Sequence, residues 1–541
     1  MFPISTGRPA TMAPSGMVAS PHSLASAAGV DVLRAGGSAV DAALAAGAAL
    51  SVLYPHMTSV GGDAFWLVYD ARTRRVRYLN GGGCAARGAG IDWFRARGMK
   101  EVPLRGFLPA TLTTPGAVAS WCLAHEEYGR LPLARDLACA IGYAREGFPV
   151  TARLARAIEL HASDGSLAAG ALAIFAPGGT APRAGDKLAN RGLAMVLERI
   201  AQGGREAFYG GDTARSLAAF SRAGGGFFDE ADLRAQQASW GEPLSGSYRG
   251  MEILETPAPT QGFTVLEMLN LVESADIGRM DPLGPDLVHL LVQAKQIAYH
   301  DRDRMLADPQ FQPVPTDKLV SKAYAEDRRR LMRADRALSW DLVPSFGTLA
   351  GDTVFVCAVD AEGNAAALIQ SLYFTFGAGV VAGDTGIVMQ NRSAYFSLDP
   401  GHPNRLEPGK RPLHTLIASM ALENGRLRHV LGCMGADGQP QIHLQSYIGL
   451  VDFGFDIQQA LEAPRWLSGR FNIGDPRDLL NMEGRFPDAT VAELERRGHA
   501  VNRWPAWCEL AGHAHGISID PASGVRIGGA DPRSDGAAVG C

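Results

Sequence analysis

The chain has 541 residues, 46% of them hydrophobic, which is enough for a large core and, by size, for two or three domains. Its formal net charge of −5 leaves no basic footprint for nucleic acid, and no run approaches the roughly 18–20 apolar residues of a membrane span. The seven cysteines (Cys84, Cys122, Cys139, Cys357, Cys433, Cys508 and Cys541) are scattered, odd in number and without metal-type spacing. They read as reduced thiols, and with no apolar secretory stretch at the N-terminus the expected compartment is cytoplasmic.

Residues 1–16, rich in Pro, Ser and Thr, read as a loose lead-in. Apolar residues at helical spacing predict a helix from Ser23 to Ala35, stopped by Gly36-Gly37. Ser38 is a fitting N-cap for an Ala-rich helix over Val40–Leu53, whose small residues predict burial against a sheet. Phe65–Tyr69 and Val76–Leu79 read as a hairpin. Gly81–Gly90 is Gly-rich but lacks a phosphate-loop spacing, so it reads as a loop near the site. From Ala117 to Asp335 the pattern is mainly helical, with Leu154–Leu160, Leu193–Gln202, Thr213–Ala223 and Asp286–Met305 the clearest cases and a short strand at Ile253–Thr256. Residues 336–352 read as a linker where a chain cut would be tolerated. Beyond it the pattern turns to strands (Gly386–Gln390, His429–Leu431) and helices (Asp437–Leu450, Asp456–Ala463, Asp488–Arg497). This mixture argues for a layered fold with sheets sandwiched by helices.

The stretch of greatest interest is residues 349–360. Thr353 heads the apolar run Val354–Val359, residues 361–364 read as a turn, and residues 365–369 supply a return strand. One reading is an ordinary buried hairpin. The other is that the chain is cut before Thr353. An internal threonine hydroxyl is a weak nucleophile, whereas an N-terminal one carries its own base, because an α-amine has a pKa of about 7.7–8.0. Cleavage at Asp352–Thr353 would create nucleophile and base in one residue, and the small Gly351 leaves room for attack on the Asp352 carbonyl.

That stretch resembles the processing site of the γ-glutamyltranspeptidase family of N-terminal-nucleophile hydrolases. Other pieces follow in the family's order: residues 17–22, 33–42, 54–56 and 61–65, Thr114-Pro-Gly116, Tyr299-His-Asp-Arg302, Lys410-Arg-Pro412 and residues 529–533. The resemblance implies an α+β fold, a four-layer αββα sandwich. Residues 1–352 would form a large fragment and residues 353–541 a small one, both woven into one domain and working as a heterodimer, or a dimer of these. It also implies that Thr353 is the nucleophile, that Ser371 hydrogen-bonds it, and that Gly435 and Ala436 in the turn Gly432–Gly438 hold the oxyanion. A turn serine and a plain Gly-rich turn are the competing readings of Ser371 and of Gly435-Ala436.

The chain also departs from the family's glutamyl-recognition pattern. The acidic residue expected to hold an α-amino group is Tyr395, the arginine expected to clamp the α-carboxylate falls at Ile91, an expected asparagine is Tyr373, and a pair of serines is His414-Thr415. Tyr373, Arg392, Tyr395, His414 and Thr415 would then line the acyl pocket. Arg392 offers a planar fork for a carboxylate. Arg87 is a second candidate, with a surface role the better reading. His414 has no ligand-spaced partners for a metal, and no motif calls for a cofactor or metal. The set fits a small amide substrate whose acyl group bears a carboxylate and no amine, such as glutaryl or oxamoyl, and is similar to the cephalosporin-acylase and oxamate-amidohydrolase branches. A glutathione hydrolase or γ-glutamyltransferase with a rebuilt pocket, and an unprocessed binding protein without activity, are the alternatives.

Overall fold

A computed structural model describes residues 4, 6–105, 113–341, 343, 351–471 and 475–541. Two seven-stranded antiparallel sheets lie face to face. The first runs, edge to edge, Ala537–Gly540, Met17–Ser20, Asp352–Val359, Ala365–Tyr373, Asp63–Asp70, Arg75–Gly81 and Ser239–Gly241. The second runs Thr11–Ala13, Arg526–Ala530, Ala514–Ile519, Arg426–Cys433, Ala418–Glu423, Met251–Glu255 and Leu244–Tyr248.

The strand Asp352–Val359 shows why the central strands are apolar throughout. Its side chains alternate between two buried faces. Val354, Val356 and Ala358 join the core beneath one helical layer. Phe355, Cys357 and Val359 meet Met420, Val430 and Ile517 of the second sheet. A strand with no wet face needs no polar alternation.

Helices cover both outer faces. The helix Ala39–Leu53 is capped by Ser38 through a capping box with Asp41, and all 15 of its residues are buried. It is small-residued because the sheet is close: a Cβ on Gly47 would stand 2.5 Å from Leu368 Cδ2. The helices Ala117–Tyr128, Leu133–Glu146 and Arg191–Tyr209 extend that layer. On the other face, Phe263–Val272, Pro285–Met305, Gln439–Tyr447 and Ile457–Glu462 cover the second sheet. This is the expected helix–sheet–sheet–helix sandwich. All seven cysteines are free, and no described helix is long and apolar enough to cross a membrane.

Three expectations need correction or fall outside the described residues. Residues 11–13 are not a loose lead-in, because they pair with residues 526–528 at a sheet edge. Gly386–Gln390 forms no ladder; only isolated bridges Val381–Val388 and Gly61–Met389 occur there. Its apolar residues are buried by loop packing instead, which a short apolar run does not distinguish from a strand. Within the linker read at 336–352, residues 342 and 344–350 lie outside the described residues.

Candidate active site

Thr353 is the second residue of its strand and is 1% exposed. The ladder slips one residue there: Asp352 faces Tyr373, whereas Val354 faces Gln370. The extra residue lies on the return strand, a bulge of the kind that re-aims side chains beside functional sites. It brings Ser371 Oγ within 2.5 Å of the Asp352 carbonyl oxygen, to which the hydroxyl donates. Ser371 Oγ in turn accepts from the Tyr373 N–H at 2.7 Å. The Asp352 side chain accepts a hydrogen bond from Thr375 Oγ1. Burial pushes the Asp352 carboxyl up to about 7; Glu509 adds to the shift, while Thr375 and Arg105 oppose it.

Across from this bond lies the turn that links strand Arg426–Cys433 to helix Gln439–Tyr447. Gly435 takes φ 146° and Ala436 φ 44°, the left-handed region. Three of its carbonyls are engaged. Gly435 O accepts from Gly438 N–H at 2.6 Å, Ala436 O from Gln261 Nε2 at 3.0 Å, and Asp437 O from the Tyr299 hydroxyl. In a trans peptide the N–H points opposite to the C=O, so the Ala436 N–H faces away from the Gly435–Gly438 bond. The chain just before the Asp352–Thr353 bond crosses this turn closely. A Cβ on Gly351 would stand 2.7 Å from Tyr373 O and 2.8 Å from Ala436 Cβ.

Arg392 opens a short turn, Arg392–Tyr395, and is wholly buried. Its Nη1 donates to Thr415 Oγ1 at 2.9 Å. Its guanidinium stacks 4.4 Å from the Tyr373 ring centre, and the Tyr395 ring lies 4.9 Å from that of Tyr373. Nε and Nη2, one edge of the fork, have no partner among the described residues. Burial lowers the Arg392 pKa. The Tyr395 hydroxyl donates to Asp437, which also meets Arg302 Nη1 at 2.5 Å.

Five of the expected residues therefore cluster: Tyr373, Arg392, Tyr395 and Thr415 around the fork, and Ala436 beside Gly351. His414 does not join them by any hydrogen bond. It engages Asp63 instead, with Nε2 3.1 Å from Oδ2. Burial lowers its pKa to about 3, so it is a neutral ring donating to a carboxylate. Arg87 is a surface residue paired with Asp232 at 2.9 Å. Ile91 packs its side chain in an apolar cluster with Phe94 and brings no cation.

Sequence reasoning missed Thr375, Gln261 and the pair Arg302–Asp437. Arg302 ends the segment Tyr299–Arg302 and Asp437 lies in the turn Gly432–Gly438, but nothing in the residues alone ties two positions 135 apart. A cleft of about 630 Å3 opens beside Asp352, lined by Gly351, Thr375, Gly435, His56, Arg153 and Trp507 among others.

The family model for gamma-glutamyltranspeptidase matches residues 25–541, and the chain belongs to that family of hydrolases and transferases. It is 41% identical to the glutathione hydrolase-like YwrD proenzyme of Bacillus subtilis, over 97% of this chain and 98% of that one. It is 37% identical to the oxamate amidohydrolase proenzyme of Klebsiella pneumoniae, over 97% and 98%. The crystal structure of cephalosporin acylase from Bacillus halodurans superposes with a TM-score of 0.91 at 36% identity, covering 100% of this chain and 98% of that one.

Proposed function

We propose that the protein is a self-processing amidohydrolase acting on small amides whose acyl group carries a carboxylate. Maturation begins when Thr353 Oγ1 attacks the Asp352 carbonyl carbon and the Thr353 nitrogen leaves it, forming an ester. Ser371, donating to that carbonyl oxygen at 2.5 Å, polarises it for attack. Water then hydrolyses the ester. The products are a 352-residue fragment ending in Asp352 and a 189-residue fragment beginning with Thr353, which stay together as a heterodimer.

In turnover the Thr353 α-amine takes the hydroxyl proton as Oγ1 attacks the substrate amide. The N–H groups of Gly435 and Ala436 receive the oxyanion, the proton passes to the departing amine, and water releases the acid from the acyl-threonine. Arg392 binds the acyl carboxylate, and Tyr373, Tyr395 and Thr415 hold Arg392 in place.

The observation that carries the substrate reading is the buried Arg392 edge, Nε and Nη2, which no described protein group satisfies. A buried cation with two open donors favours an anion over the zwitterionic head of a glutamyl group, whose ammonium would find Tyr395 where an acid is needed. The names of the relatives, a glutathione hydrolase-like protein, an oxamate amidohydrolase and a cephalosporin acylase, are compatible with either head group. Two experiments test the reading. On a denaturing gel, wild type should run as two pieces and Thr353→Ala as one; a fully active, uncut wild type would overturn it. Glutaryl and oxamoyl amides should be cleaved in preference to glutathione, and the reverse order would overturn the pocket assignment.

A further inference from the structure

Away from the site, Asp41, His125 and Asp136 converge from three helices. Asp41 lies in the first turn of Ala39–Leu53, His125 in the last turn of Ala117–Tyr128, and Asp136 in the first turn of Leu133–Glu146. Both aspartate side chains are wholly buried. His125 Nε2 stands 3.9 Å from Asp41 Oδ1 and 3.6 Å from Asp136 Oδ2. Those spacings are long for hydrogen bonds. They suit neighbouring donors around one small cation held at about 2.0–2.2 Å from each.

A second observation points the same way. Asp41 Oδ1 and both carboxylate oxygens of Asp136 are buried without a hydrogen-bond partner among the described residues. The Leu131 carbonyl lies 2.8 Å from His125 Nε2 and completes a compact donor set. The remaining Asp41 oxygen is fixed by the N–H groups of Ser38 and Arg130, each at 2.8 Å. Such outer bonds orient a ligating carboxylate. The Arg130 guanidinium is turned away to Glu362 at 2.9 Å. Two buried carboxylates without a cationic partner are costly unless a metal or a proton compensates them.

We propose that Asp41, His125 and Asp136, with the Leu131 carbonyl, bind one divalent cation of the zinc class. Imidazole with carboxylate oxygens is the donor set such ions take. Binding requires the Nε2 lone pair, so the imidazole proton moves to Nδ1 and the Leu131 carbonyl turns from hydrogen-bond acceptor to ligand. The cation would staple the buried helix Ala39–Leu53 to the two helices outside it. That helix meets the hairpin carrying Thr353 and Ser371, and its first N–H donates to Asp360 at 3.3 Å. The site would therefore brace the layer on which the reactive strand rests, without touching substrate.

The rival occupant is a proton shared between the carboxyls, and burial together with Asp41 does push the Asp136 carboxyl up to about 9. The test uses the full chain stripped with a chelator and titrated with zinc chloride. Metal content and Tm are the readouts. Wild type should take up one zinc per chain and gain Tm. Asp136→Asn should bind at least tenfold more weakly and show no Tm response. His125→Gln serves the same purpose if the first variant does not fold. No stoichiometric uptake by wild type, or equal uptake by both variants, would overturn the proposal.

Discussion

Replacing Arg392 by methionine should move stability and activity in opposite directions. The arginine is wholly buried and, among the described residues, its side chain makes one hydrogen bond, to Thr415, and leaves Nε and Nη2 without partners. In the free enzyme it is therefore an under-compensated buried charge, and an apolar side chain of similar length should leave stability unchanged or raise it. With substrate bound, the same edge would make two charge-assisted bonds to one carboxylate. Each contributes about 1.5–3 kcal/mol. Allowing for desolvation, a combined loss of about 3–4 kcal/mol corresponds to a 10²–10³-fold fall in kcat/KM. The assay compares a carboxylate-bearing acyl amide with an uncharged acyl amide of equal length, alongside thermal unfolding. The first should collapse and the second hold or improve. An equal loss on both substrates, or a clear drop in Tm, would refute the assignment of Arg392 as the carboxylate clamp.

Ser371→Ala removes the hydroxyl that donates to the Asp352 carbonyl, and maturation followed on a denaturing gel should slow about 10–100-fold. Gly351→Ala places a Cβ 2.7 Å from Tyr373 O and 2.8 Å from Ala436 Cβ. This overpacking should slow maturation about tenfold, while turnover per matured molecule, titrated by active-site labelling, falls less. In the uncut Thr353→Ala protein the Asp352 carboxyl, raised to about 7 from 3.8, keeps a proton in the folded state that the unfolded chain has lost. Stability should therefore fall as pH rises from about 4 to 7 and level off above. Adding Asp352→Asn should remove that part of the slope in urea unfolding between pH 4 and 8; an unchanged slope would show that Asp352 does not contribute to it.

Much of the fold could be read from the chain because its local signals agree with one another. Ser38 followed by Asp41 marks a helix start, and the capping box is there. The run Val354–Val359 reads as a strand because both its faces are dry. Gly386–Gln390 misleads for the same physical reason: burial alone makes a segment apolar, and it is buried without a ladder. At the site, Tyr373, Arg392, Tyr395 and Thr415 fall together as expected. His414, near enough to Arg392 for that cation to join burial in lowering its pKa, is hydrogen-bonded to Asp63, 351 residues away, and no spacing rule connects that pair. Thr375, Gln261 and the Asp41–His125–Asp136 group were invisible for that reason too: each depends on how separate elements pack.

The order of strands has one more consequence if the chain is cut before Thr353. In the first sheet the sequence of neighbours would run small, large, small, small, large, large, large by fragment, and in the second sheet both edges would come from the large fragment. Five ladders would then join one polypeptide to the other: residues 537–540 with 17–20, 17–20 with 352–359, 365–373 with 63–70, 11–13 with 526–530, and 418–423 with 251–255. Like interlaced fingers, the halves could not part without both sheets being dismantled. Refolding from separated pieces would be a second-order search with no covalent memory of the partner. Thermal inactivation of the mature form should accordingly be a one-way event, even where the uncut precursor recovers on cooling.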